Sequence, residues 1–111
     1  MSNHLLGLVL VVIVCIALTE RAAYAASDAD IDQLTSYAVI LGRATACGED
    51  TENAARRVGA WVDRTFNGQE RSHMMMILVL GMQHHAEQQA KGNSPDSCSS
   101  ISRTLTKMVW P

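Results

Sequence analysis

Soft and nitrogenous ligands crowd one stretch of the chain: His73, Met74, Met75, Met76, Met82, His84 and His85. Thioether and imidazole groups together suit copper. Spacing decides how many of them could share an ion. His73 and His84 fall on one helical face but lie ~16 Å apart along the axis. Adjacent His84 and His85 point ~100° apart. Only Met82 and His85, at i and i+3, have chelating spacing, so a copper-handling reading rests on that pair. The simpler reading has the methionines filling irregular core space and the histidines sitting at its polar margin. No cofactor is expected.

The hydroxyls Ser97, Ser99, Ser100, Ser102 and Thr104 and the three histidines invite a catalytic reading. No serine stands on a strained strand-to-helix turn beside a histidine and a carboxylate. Serine runs of this kind start helices and face solvent. Glu49, Asp50 and Glu52 lack the alternating oxygen spacing of a calcium loop and read as helix-start acids. The expectation is a protein that is not an enzyme.

Sulfur chemistry is more specific. Of Cys15, Cys47 and Cys98, the first lies in an apolar run, Leu5 to Leu18, followed by Thr19-Glu20-Arg21 and Ala22-Ala23-Tyr24-Ala25-Ala26. That run is shorter than the ~20 residues a spanning helix needs. It fits a secretory signal peptide over residues 1–25, with Ala23-Tyr24-Ala25 as the cleavage site. No Lys or Arg precedes the run, and Arg21 follows it, against the usual charge bias. An uncleaved N-terminal anchor is therefore the competing reading. No small residue stands immediately before Cys15, so a lipoprotein is disfavoured. Export leaves Cys47 and Cys98, which read as one disulfide in an oxidising compartment. Closing that loop stabilises the fold by ~4 kcal/mol in the chain-entropy model.

The elements that position these groups are four helices, with no stretch alternating long enough for a strand. Residues 26–111 are enough for one domain with a modest core. The first helix spans about residues 28–47, with Ile31, Leu34, Ala38 and Leu41 on its apolar face and Gly48 ending it. The second spans about 51–66, capped by Asp50, with Ala54, Val58, Trp61 and Val62 in its stripe. The third spans about 69–90. It is apolar on every side from Met74 to Met82, and is expected at the centre of the bundle. The fourth spans about 95–109, begun by Ser94-Pro95-Asp96, with Ile101, Leu105 and Met108 inward. Gly42, Gly59 and Gly81 interrupt helices at a cost of ~1 kcal/mol each, which predicts close helix crossings.

The fold class expected is thus all-α: a small four-helix domain with one disulfide, after a signal peptide. In size, helicity and disulfide number the layout is similar to small periplasmic acid-stress chaperones and small helical immunity proteins. It shares no motif with either, and no residue is carried over.

Net charge is −2, with Arg56-Arg57 the only basic pair of note. Phosphate binding needs a positive stripe, so nucleic acid is excluded as a partner class. The function expected is non-catalytic protein binding in the periplasm or medium, as an inhibitor, immunity, chaperone-like or secretion-accessory factor. Its partner would be another envelope or secreted protein, with membrane contact only through an uncleaved N-terminal segment. Two residues are candidate contacts. Arg43 is expected to reach solvent along its aliphatic stem rather than pair with an acid such as Asp63. Trp110 either closes the bundle or offers an aromatic anchor.

Overall fold

The computed structural model describes residues 26–111. The expected signal segment, residues 1–25, lies outside the described residues. Four helices follow: α1 (Asp28–Ala46), α2 (Glu52–Thr65), α3 (Gly68–Ala90) and α4 (Cys98–Lys107). The described residues contain no strand.

Local chemistry sets the boundaries. Ser27 caps α1, its hydroxyl accepting from the Asp30 amide at 3.1 Å, with Asp28 and Asp30 against the positive end of the helix dipole. At the other end the Gly48 amide bonds the Thr45 carbonyl and the Glu49 amide bonds the Ala44 carbonyl. This pairing demands a left-handed residue at Gly48, whose φ is +80°. Gly92 closes α3 in the same way. Thr51 occupies the N-cap position of α2 without a side-chain capping bond, and the neighbouring Asp50 carboxylate accepts from the Glu52 amide instead.

The fourth helix starts later than the sequence pattern predicts. Ser94 forms a tight turn, its hydroxyl accepting from the Asp96 amide at 3.3 Å. Ser97 then supplies the cap, accepting from the Ser100 amide at 3.1 Å. Two serines compete for the cap, and Ser97 holds it. The helix also stops earlier, at Lys107, because Met108 turns extended.

The core is organised around α1, not α3. Leu34, Tyr37, Ala38, Leu41 and Ala44 are buried along it. Leu34, Tyr37, Ala38 and Leu41 cluster with Val58, Trp61 and Val62 of α2, Phe66 just after it, and Met74 and Leu78 of α3, while Ile101 of α4 is buried as well. Each fully buried Leu or Ile contributes about 1.5–3 kcal/mol of transfer free energy. Tyr37, Trp61 and Phe66 stack edge to face, with centroids 5.4 and 5.7 Å apart along the chain of rings.

The expected central placement of α3 is corrected by its surface. Met76 is 59% exposed, Val79 55% and Leu80 56%. Length explains this. A 23-residue helix is ~35 Å long, whereas α2 and α4 have 14 and 10 residues and run ~21 and ~15 Å. The disulfide ties α4 to the far end of α1. Helix α3 therefore packs along α1 and beside α2, and its outer face has no neighbour among the described residues.

Two of the three interior glycines mark where α1 and α3 cross. A Cβ on Gly42 would run into the Met82 carbonyl oxygen and come within 3.0 Å of the Met82 Cα. A Cβ on Gly81 would lie 3.0 Å from the Ala38 Cβ. Gly59 has open space around it, so close crossing does not explain that residue.

Candidate functional site

Cys47 and Cys98 are bonded, with Cα atoms 5.5 Å apart. The bond joins the C-cap of α1 to the first turn of α4 and gathers a polar cluster beside it. Arg43, in the last turn of α1, forms an ion pair with Asp96 at 2.7 Å. Its side chain is only 15% exposed. The expected solvent-reaching Arg43 is thus corrected. Asp96, brought up by the disulfide, is its acid, in place of Asp63 on α2. Gln89 of α3 donates to the Asp96 carbonyl at 3.1 Å and reaches the Cys98 sulfur at 3.7 Å. Its own carbonyl oxygen is buried and unpaired. The cluster binds three chain segments together.

Half-buried His85 stands near this cluster. Burial first, then the Arg43 charge and that of His84, hold its pKa below the ordinary imidazole value. The neutral imidazole suits packing and would also suit ligation. Its ring meets that of His84 edge to face, with centroids 5.1 Å apart. Met82 packs against the core. Among the described residues no three His, Cys, Asp or Glu side chains converge on a point where a metal ion could sit. Met82 and His85 thus remain a pair without a third ligand of those types, and His73 lies far along the helix.

Trp110 closes the bundle. Its indole N–H donates to the Leu105 carbonyl at 3.2 Å, and its ring lies 5.5 Å from that of Tyr37. Arg57 clamps the same tail, donating to the carbonyl oxygens of Trp110 and Pro111 at 2.9 and 2.8 Å. Trp110 thus packs, half-buried, against the core. The exposed tail side chain is Val109.

The outer face of α3 is the largest feature that sequence reasoning missed. Met76, Ile77, Val79 and Leu80 are all exposed there. An open groove of about 520 Å³ runs along this face beside α2, with a floor of Met75, Met76, Val79 and Leu80 and a rim of Asp63, Arg71 and Ser72. Arg71 is held in place by an Nε–H bond to the Phe66 carbonyl at 3.1 Å. From Ser72 to Ala86 the helix carries no Asp, Glu, Lys or Arg. The available signal was the mismatch between a 23-residue apolar-centred helix and the short helices available to cover it.

No helix among the described residues is long and apolar enough to cross a membrane. The chain matches no known protein family, no curated protein and no solved structure.

Proposed function

We propose that this is an exported, non-catalytic protein-binding domain that docks partners on the outer face of α3. One observation carries the reading. Met76, Ile77, Val79 and Leu80 form a contiguous exposed apolar stripe on one helix. Single exposed apolar residues are ordinary, but contiguous patches mark interaction sites. A groove flanked by a second helix is the geometry that receives an amphipathic helix. Export is supported by the Leu5–Ala25 segment together with the Cys47–Cys98 disulfide, since such bonds persist in oxidising compartments. The polar cluster around Arg43 and Asp96 serves the scaffold, holding α4 and the Ser94–Ser97 turn against α1. Inhibitor, chaperone-like and secretion-accessory roles all use such a surface.

The test is site-specific photo-crosslinking in the native envelope. A photoreactive amino acid replaces Leu80 in one variant and Arg56, on the solvent side of α2, in another. Discrete adducts from position 80 and none from position 56 are expected. Equal adducts from both positions, or none from position 80, would refute the assignment.

A further inference from the structure

We infer that the partner of the α3 face is a second copy of this chain, paired through α3 in antiparallel orientation; this rests on the reading of that face as a docking surface. The residue pattern is the first support. Ser72, Met76, Val79 and Gln83 recur at steps of four, three and four, the spacing of a helix-pairing seam. The seam reads the same in both directions, with apolar residues at its middle and an uncharged polar residue at each end. A two-fold axis midway between Met76 and Val79 sets Met76 against the partner's Val79. It sets Ser72 against the partner's Gln83, a hydroxyl opposite an amide.

Charge is the second support. In a two-fold interface identical surfaces face each other, so any net charge repels itself. The seam lies inside a stretch, Ser72 to Ala86, free of Asp, Glu, Lys and Arg. The groove rim carries one acid, Asp63, and one base, Arg71, which form no ion pair among the described residues. A rim holding one charge of each sign carries no net charge to repel a copy of itself. A foreign partner recognised by charge would call for a rim of predominantly one sign.

Size is the third consideration. The seam has one apolar repeat, so the interface falls at the small end, below the ~800 Å² per partner of a stable complex. Self-association in the micromolar range or weaker follows, reversible and concentration-dependent. Such a weak contact leaves the face open to exchange.

Sedimentation equilibrium on the full-length, natively processed protein, from ~1 μM to ~1 mM, tests this. The apparent mass is expected to rise toward twice the monomer value. Val79→Lys with Leu80→Lys, at surface positions, is expected to stay monomeric with unchanged helicity. Orientation is tested by cysteine pairing. Ser72→Cys mixed with Gln83→Cys is expected to form a disulfide-linked dimer. Ser72→Cys alone is expected not to, since the two residues at position 72 lie ~16 Å apart along the antiparallel axis. Dimers of Ser72→Cys alone would overturn the antiparallel arrangement. A monomer at every concentration that still gives a photo-adduct from position 80 to a different protein would overturn self-association and leave the docking face standing. A monomer with no adduct from position 80 would overturn both.

Discussion

Replacing Gly42 and Gly59 by alanine is the same chemical change in two helices and should have opposite effects. In either helix alanine gains about 1 kcal/mol of helix propensity over glycine. At Gly59 nothing lies within 4 Å of the new Cβ. The gain is kept, and the melting temperature should rise by about 4–8 °C for a domain of this size. At Gly42 the new Cβ meets the Met82 carbonyl and lies 3.0 Å from its Cα. Carbon atoms attract best near ~3.5–4.0 Å, so α3 must retreat by roughly 0.5–1 Å. The obstacle is backbone inside a helix and cannot swing aside as a side chain would. Overpacking of this kind costs about 1–3 kcal/mol, and a rigid obstacle places it near the top of that range. After the propensity gain the net loss is about 2 kcal/mol, or a fall of roughly 8–16 °C. Thermal and urea unfolding followed by circular dichroism measures both variants. A Gly42→Ala protein as stable as the parent would refute the close α1–α3 crossing, and a destabilised Gly59→Ala protein would refute the open space at that position.

Other expectations follow from the same structure. Gly81→Leu must force a larger side chain against Ala38 and should destabilise strongly in the same assay; an unmoved melting temperature would contradict the crossing. Cys47→Ala with Cys98→Ala should lower stability by about 4 kcal/mol, since the bond closes a loop of 51 residues. A urea midpoint like that of the parent would show that the staple contributes nothing. Burial and the Arg43 charge hold the His85 pKa lower in the fold than in the unfolded chain. The unfolded chain then binds the extra proton first, and stability is lost as pH falls through the ordinary histidine value of ~6.5. Between pH 7 and pH 5 the melting temperature of His85→Gln should fall less than that of the parent, and parallel falls would contradict this. Trp110→Ala removes a half-buried ring from Tyr37 and should cost about 2 kcal/mol, below the range for a fully buried tryptophan; a change under a few tenths would show the tail to be free.

Where sequence and structure agree, the cause is local. Four apolar stripes at helical spacing, Gly48 as a left-handed stop and an even pair of cysteines after an apolar leader-like run each depend on a few neighbouring residues or an expected compartment. Their outcomes are α1 to α4 and the Cys47–Cys98 bond. Gly42 and Gly81 were legible as crossing points because a glycine inside a helix is costly without a reason. Where they differ, the cause is which helices become neighbours. Met74 to Met82 is apolar all round, and that pattern alone cannot separate a helix covered by its own chain from one covered by a partner. Only the short spans of α2 and α4 show that nothing within residues 26–111 reaches the outer side. Arg43 was misread because its acid, Asp96, is 53 residues away and is delivered by the disulfide. The start of α4 was misplaced because Ser94 and Ser97 both satisfy capping rules, and the Ser94 turn and the Ser97 cap sort them only in the folded chain.

The account turns on what meets Leu80 in cells that make the protein. With a photoreactive residue at position 80, illumination should give a discrete protein adduct, and the same residue at position 56 should give none. Absence of any adduct at position 80 in cells that make folded, disulfide-bonded protein would contradict the assignment of α3 as the binding face.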